Sequence, residues 1–180
     1  NCWMPIAGWG GGRPPRRGVG SRHFPRAPAR GAPGGLGRWG APSRQASKDA
    51  RRNLHDQPQA SVLNGPTDKV LGSWLKYPER PVADGGLGGA ALDTVVLDPP
   101  RAGAGRRAIE RILALEPGRI VYVSCDPASF ARDLAWLRDG GYEVERARVF
   151  DLYPDTHHLE SVTVLVPAAQ SAPAAAVVEI

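Results

Sequence analysis

The chain has 180 residues, of which 42% are hydrophobic, and this length and composition suit one globular domain or part of a larger one. It has no run of eighteen apolar residues, which excludes a helical membrane span. Its start lacks the basic segment, apolar segment and small-residue cleavage site of a secretory signal, so we expect a soluble cytoplasmic protein. The net charge of +5 is only a weak indication of RNA binding, because residues 1–52 hold eleven Arg and Lys against one acid while residues 53–180 hold twelve against seventeen.

The first predicted segment, residues 1–42, is a head that should not fold by itself. It contains eleven Gly, seven Pro and no acidic residue, and no stretch of it keeps an apolar period of two or 3.6. Its arginines could bind RNA phosphates, but we favour disordered or non-native sequence without a dedicated role. We expect the ordered domain over residues 43–167 and a frayed, Ala-rich tail over 168–180.

The elements of the ordered domain become clearer along the chain. We expect a helix over 43–53, a short strand over 60–63, a helix over 67–74 and a Pro and Gly loop over 78–90. Residues 92–97 are nearly all apolar and end in Asp-Pro-Pro, which is typical of a strand buried on both faces of a parallel sheet. Apolar residues at helical spacing follow, namely Ala108, Ile109, Ile112, Leu113 and Leu115.

The second half of the domain repeats the strand and helix alternation. Residues 119–124 form the next predicted strand, and residues 127–138 form a helix with Pro at its start and two Gly after its end. This order indicates right-handed crossovers and a mostly parallel sheet, hence an α/β fold. Residues 142–150 and 161–167 would close the sheet as an antiparallel hairpin.

Three polar segments fall at the predicted ends of these strands, where ligands lie in open parallel sheets. They are residues 98–101, 124–127 and 151–160, and together they bring two carboxylates and a thiol to one edge of the sheet. The thiol is that of Cys125. Cys2 is the only other cysteine, and two cysteines so far apart indicate neither a disulfide framework nor a metal site.

These segments resemble the signatures of the RNA uracil-5-methyltransferases, which act on ribosomal and transfer RNA. The first signature, Asp-Pro-Pro-Arg-x-Gly and then Tyr-x-Ser-Cys-Asn ending in Thr, is similar to Asp-Pro-Pro-Arg-Ala-Gly at 98–103 and Tyr-Val-Ser-Cys-Asp-Pro-Ala-Ser at 122–129. The second, Asp-x-Phe-Pro and then His-x-Glu, is similar to Asp-Leu-Tyr-Pro-Asp-Thr-His-His-Leu-Glu at 151–160. The departures are Asp126 for Asn, Ser129 for Thr, Tyr153 for Phe, and Asp155 for Gln, His or Tyr.

The resemblance implies an incomplete Rossmann-like class I methyltransferase sheet that uses S-adenosylmethionine to methylate a uridine in ribosomal or transfer RNA. Cys125 would be the nucleophile that attacks carbon 6 of uracil, and Glu160 would be the base that removes the proton from carbon 5. Asp98 would contact the cofactor near its transferable methyl group, and Asn64 lies near the position that contacts adenine.

Two further residues are implied in substrate binding. Arg101 would bind phosphate or brace its loop, and His158 would shape the loop before Glu160. Leu159 and the valines of the following strand would desolvate Glu160 and suit it to proton transfer. Backbone N–H groups at the start of the 127–138 helix would favour a thiolate at Cys125, although the charge of Asp126 would oppose it.

Each role has a structural alternative. Cys125 could be a small buried apolar residue, Glu160 a solvated hairpin carboxylate and Asp98 a strand-end cap. His157 and His158 have no second ligand cluster at zinc spacing, so we expect no metal, and we expect a monomer.

The chain also lacks features that a class I methyltransferase should have before residue 92, namely an opening strand, a Gly-rich turn and an acid for the ribose hydroxyls. We therefore interpret it as a C-terminal fragment with a head foreign to the family. A non-catalytic RNA-binding remnant of such an enzyme is the main alternative. A hydrolase built on Cys125 and a histidine is a third interpretation, weakened by the want of an oriented base and acid.

Overall fold

The computed structural model describes residues 3–7, 36–41, 44–53, 55, 60–151 and 159–170 of the chain. Within them, seven strands form one sheet: β1 (Trp3–Ala7), β2 (Leu36–Ala41), β3 (Ala60–Asn64), β4 (Thr94–Leu97), β5 (Arg119–Ser124), β6 (Tyr142–Phe150) and β7 (Glu160–Pro167). The helices of the same residues are α1 (Arg44–Asn53), α2 (Thr67–Lys76), α3 (Arg106–Ala114) and α4 (Pro127–Asp139), with short 3-10 turns at Val82–Asp84 and Ala168–Gln170.

The strands are arranged in the order β3-β2-β1-β4-β5-β7-β6. The pairs β2–β3 and β4–β5 are parallel, whereas β1 runs antiparallel to both of its neighbours. The hairpin of β6 and β7 adds to β5 through antiparallel pairing with β7. The α/β class and the C-terminal antiparallel hairpin are thus confirmed, while the sheet as a whole is mixed because β1 reverses the strand direction.

Local sequence explains why the later elements lie close to their predicted bounds. Strand β5 has its predicted limits, and α4 is one residue longer than predicted. Helix α4 begins with Asp126 as its N-cap and Pro127 in its first turn, and Gly140 follows its end. Proline fits the first turn because the N–H it lacks has no partner within the helix there.

Helices α2, α3 and α4 cover one side of the sheet, which we call the helix-covered face. Its residues on β4, β5 and β7 are at most 2% exposed and comprise Val95, Leu97, Ile120, Tyr122 and Leu165. The residues that pack against them from the helices include Leu71 and Trp74 of α2, Ile109 and Ile112 of α3, and Leu137 of α4. This single cluster is the hydrophobic core that holds the carboxyl ends of β4 and β5 in place.

The side chains that alternate with these on the same strands form what we call the open face. On β4, β5 and β7 they include Val96, Val121, Val123, Val162 and Val164, all of intermediate exposure. Strand β4 was expected to be buried on both faces, yet Val96 keeps part of its surface exposed. Burial is therefore more complete on the helix-covered face than on the open face.

The head differs from the sequence-based expectation, because two of its segments are strands. Trp3 pairs with Leu97 and Ile6 with Thr94, so β1 lies along β4, and β2 lies between β1 and β3. Strands pair through backbone hydrogen bonds, so this pairing does not require an apolar period in the sequence. Without β1, strand β4 would be an edge strand with unpaired N–H and C=O groups. These strands are held by the rest of the sheet, so the prediction that the head does not fold by itself stays a prediction.

Candidate active site

The candidate residues that the structure describes lie at one edge of the sheet. Asp98 follows the end of β4, Cys125 follows the end of β5, and Glu160 begins β7, which runs the opposite way. Asn64 ends β3. This strand runs parallel to β4, because β2 is parallel to β3 and β1, between β2 and β4, is antiparallel to both of them. Three strand spacings of about 4.8 Å separate β3 from β4, so Asn64 is about 14 Å from the Asp98 strand end.

The register of β5 and β7 relates Cys125 to Glu160. Ser124 pairs with Ser161, and the neighbouring pairs run back along the two strands without a shift. Cys125 follows this last pair on β5, where the chain bends, and Glu160 precedes it on β7. The two residues therefore flank one pair of facing residues at the same edge of the sheet, although 35 positions separate them in the sequence.

The turn around Cys125 is fixed by the serine that precedes it. The Ser124 hydroxyl donates to the carbonyl oxygen of Asp126 at 3.0 Å, and its oxygen lies 3.2 Å from the Asp126 amide nitrogen, which donates to it. The Ser161 hydroxyl donates to the Ser124 carbonyl oxygen at 3.4 Å, which ties the start of β7 to the same turn. Cys125 itself is a free cysteine of intermediate exposure. Its thiol is thus held at a braced strand end without being sealed in the core.

Asp126 has a structural role that the sequence did not predict. Its Oδ1 accepts a hydrogen bond of 2.7 Å from the backbone N–H of Ser129, and this caps α4. The hydrogen bonds from Ser129 and the nearby charge of Arg101 lower the pKa of the Asp126 carboxyl. The Asp126 carboxylate expected beside Cys125 is thus hydrogen-bonded to the N-terminus of α4. The Ser129 N–H is one of the helix-start N–H groups that were expected to favour a thiolate at Cys125, and it donates to this carboxylate instead.

The carboxylate at the end of β4 lies in a different environment. Asp98 is exposed as a residue, yet partial desolvation by the surrounding protein raises the pKa of its carboxyl. A shifted carboxyl group at the carboxyl edge of a parallel pair is typical of a ligand-binding position. Arg101 follows it in an exposed turn.

The loop that carries Asp98 and Arg101 is anchored by a buried carboxylate that the sequence reading missed. Asp133 of α4 is 0% exposed, and its Oδ2 accepts hydrogen bonds of 2.6 Å from both the Tyr122 hydroxyl and the Ala104 backbone N–H. Arg132 donates through Nη2 to Oδ1 of Asp133 at 3.0 Å and to the carbonyl oxygen of Ala102 at 2.7 Å. Two points of the loop are therefore fastened to β5 and α4.

Burial raises the pKa of the Tyr122 phenol far above its usual range, and the hydrogen bond to Asp133 acts in the same direction. Gly103 makes room for this arrangement. A Cβ at position 103 would lie 2.6 Å from the Asp133 carboxylate, and the residue has φ +83°, which disfavours other side chains.

One sequence signal could have found the network, since Asp133 stands at helical spacing between Phe130 and Leu137 on the core-facing side of α4.

Glu160 is half-buried at the start of β7. Leu159, which was expected to help desolvate it, is itself 42% exposed, and the desolvation of Glu160 stays a prediction. Phe150 pairs with Glu160 across the hairpin and is 38% exposed. The predicted His158 lies outside the described residues, as does His157, and for Asn64 only the strand position is described.

No group of three His, Cys, Asp or Glu side chains in the described part of the chain could hold a metal ion. The helices among the same residues are too short or too polar to span a membrane.

The chain is similar in sequence to known RNA methyltransferases. Residues 81–168 match the family model described as tRNA (Uracil-5-)-methyltransferase. An uncharacterized RNA methyltransferase of Streptomyces avermitilis is 42% identical over 127 residues, which are 71% of this chain and 26% of that protein. One from Thermotoga maritima is 45% identical over 94 residues, or 51% of this chain and 21% of that protein. The chain thus spans about a quarter of the length of the curated relatives it matches.

A solved structure is similar in both sequence and fold. The tRNA (uracil-54, C5)-methyltransferase of Pyrococcus abyssi, in complex with S-adenosyl-L-homocysteine, superposes with a TM-score of 0.54 and 33% identity. The match covers 71% of this chain and 28% of that one. The fold is therefore that of part of a class I methyltransferase.

Proposed function

Because residues 81–168 belong to the tRNA (uracil-5-)-methyltransferase family, we propose that this chain is the catalytic part of an enzyme that methylates carbon 5 of a uridine in RNA. The observation that carries the proposal is the β5–β7 register, in which Ser124 pairs with Ser161, because Cys125 and Glu160 flank that pair at one edge of the sheet. The substrate class is ribosomal or transfer RNA of the cytoplasm, and the methyl donor is S-adenosylmethionine.

Cys125 performs the first step. Carbon 5 of uracil is a weak nucleophile until a thiolate adds to carbon 6, when the electrons of the 5,6 double bond move to the carbonyl oxygen and form an enolate. Carbon 5 of this enolate then takes the methyl group. The partly exposed thiol at the braced end of β5 can reach a ring laid against the edge of the sheet.

Glu160 performs the second step. After methyl transfer, carbon 5 carries both the methyl group and its original proton. The Glu160 carboxylate takes that proton, the freed electron pair restores the 5,6 double bond, and the bond between carbon 6 and sulfur breaks to return the Cys125 thiolate. The reaction needs the two side chains near each other, and the positions of Cys125 after β5 and of Glu160 at the start of β7 support this assignment.

The donor, when bound, supplies a methyl group on a positively charged sulfur. Asp98 at this edge suits the positively charged part of such a molecule. Desolvation raises the pKa of its carboxyl, and a nearby ammonium or sulfonium charge would lower that pKa again. Asn64, at the end of β3, is proposed to contact the adenine. Arg101 and His158 are proposed to bind or position the RNA.

Covalent trapping tests the proposal. We would incubate the 180-residue chain with S-adenosylmethionine and an RNA that carries 5-fluorouridine, whose carbon 5 has no removable proton after methylation. The expected product is a denaturation-resistant RNA adduct at Cys125, located by peptide mass mapping and absent from the Cys125→Ser variant.

Glu160 has its own diagnostic with unmodified RNA. The Glu160→Gln variant should accumulate the adduct, since the proton stays on carbon 5, whereas Glu143→Gln, on an exposed position of β6, should turn over like the parent chain. If the parent chain forms no adduct and incorporates no radiolabelled methyl group, yet binds RNA in a salt-dependent manner, it is the non-catalytic RNA-binding remnant and the catalytic proposal is overturned.

A further inference from the structure

Strand β6 is the outer strand of the sheet, and its open face carries an unusual set of side chains. The register pairs Phe150 with Glu160, Arg148 with Val162 and Arg146 with Val164. These three residues of β6 are all exposed. Because opposite residues share a face, they lie on the same side of the sheet as Glu160 and, through the β5–β7 register, as Val123, two residues before Cys125. We call Phe150, Arg148 and Arg146 the β6 strip.

The strip leads away from the candidate active site at regular intervals. Same-face neighbours on a strand are two residues apart, or about 6.6–6.8 Å at 3.3–3.4 Å per residue. Phe150 therefore lies at the edge beside Glu160, and the two guanidinium-bearing positions follow it down the strand.

The charge of the strip is not neutralised within the described residues. Neither Arg146 nor Arg148 makes an ion pair there, whereas other arginines do, with Arg106 bound to Glu110 at 2.8 Å and Arg119 to Glu145 at 3.8 Å. The acids of β6 are Glu143 and Glu145, which precede the strip, and Glu145 pairs with Arg119. Two guanidinium groups next to an exposed aromatic ring are the chemistry that binds single-stranded RNA, since arginine contacts phosphates and an aromatic ring stacks on a base.

We infer that the β6 strip is the surface along which the RNA lies as its uridine enters the site. This inference rests on the proposed function for the identity of the site. Phe150 stacks on a base next to the target uridine, and Arg148 and Arg146 contact the phosphates that follow. The competing explanation is that the arginines only protect an edge strand from pairing with another chain, which requires charge but no RNA contact.

Salt-dependent binding separates the two explanations. Binding of a fluorescent single-stranded RNA of about ten nucleotides is measured by anisotropy at several salt concentrations for the parent chain and for Arg146→Gln/Arg148→Gln. Each phosphate contact contributes about 0.7 to the slope of log affinity against log salt for single strands, so the variant should lose about 1.4 from that slope. Its affinity at low salt should fall about tenfold or more.

A matched control removes the same charge from the other side of the molecule. Arg107→Gln/Arg138→Gln changes exposed residues of α3 and α4, so it should leave the slope within about 0.3 of the parent value. Phe150→Leu keeps an apolar residue on β6 but removes the ring, and it should weaken binding about tenfold without changing the slope. Circular dichroism checks that all three variants keep their secondary structure.

The results decide between the inference and its competitors. Equal slopes for the two arginine pairs, whether both fall or neither does, would overturn the inference. If the strip variants bind RNA normally while the parent chain still traps 5-fluorouridine RNA at Cys125, the inference fails and the proposed function stands. If the slope falls as expected but the parent chain forms no adduct, the RNA surface stands and the proposed function fails.

Discussion

The two faces of the sheet differ in what occupies them. On the helix-covered face, Ile120 and its neighbours are sealed by three helices, and two polar groups there, the Tyr122 hydroxyl and the Asp133 carboxylate, bond to each other. On the open face, the valines are partly exposed, and Glu160 lies on this face at the start of β7. One face of the same strands is thus sealed by helices, and the other keeps part of its side-chain surface exposed.

The largest expected effect of this difference concerns neighbouring residues of β5. Ile120→Ala should lower the free energy of unfolding by about 2–5 kcal/mol, because Ile120 is 0% exposed and its removal leaves a cavity. Val121→Ala, one residue later on the open face, should cost about 1 kcal/mol or less. Urea denaturation of the 180-residue chain, followed by circular dichroism, measures both. Equal losses would show that the open face is packed as tightly as the other.

The buried carboxylate on the helix side gives the next effect. Asp133→Ala should cost about 3 kcal/mol, because it removes the acceptor of the buried Tyr122 hydroxyl and leaves the Ala104 N–H with only its 3.3 Å hydrogen bond to the Tyr122 oxygen. Tyr122→Phe should cost about 1 kcal/mol, since Asp133 keeps the Ala104 N–H and Arg132 as donors. The double variant should cost less than the two single losses together. Strict additivity in the same urea experiment would mean that the two groups do not act as one network.

Acid should act on the cap of α4. The pKa of Asp126 is lowered in the folded chain, so its stabilising contribution is present above the unfolded value near 3.8 and is lost as the pH falls below it. The parent chain should therefore lose stability more steeply than Asp126→Asn, which caps the helix without a charge, as the pH falls from about 4 through the lowered pKa of Asp126. Parallel pH profiles for the two chains would contradict this role for the Asp126 charge.

The smallest effect should come from Asp98 and have the opposite sign. Its pKa is raised in the folded chain, so keeping it ionised at pH 7 opposes folding, and Asp98→Asn should slightly raise the free energy of unfolding. The same variant should weaken binding of S-adenosylmethionine, measured by calorimetry, because the charged partner of the donor is gone. A loss of stability in Asp98→Asn would place this carboxylate among the groups that hold the fold together.

The sequence by itself determined the elements between residues 60 and 139 and the identity of the candidate catalytic pair. Periodicity and caps act over a few residues, so strand β5 and helix α4 could be read directly from their own residues. The Cys125 and Glu160 assignments came from short signatures and needed no knowledge of packing.

Only the tertiary structure decided which residues meet. Backbone pairing depends little on side chains, so no pattern in the head indicated that β1 and β2 join the sheet. The face on which Glu160 or Arg148 lies is set by register, and a slip of one residue would move each to the other face. The Asp133 network joins residues up to 30 positions apart, Ala102 and Arg132, through hydrogen bonds that form only once β5 and α4 have packed.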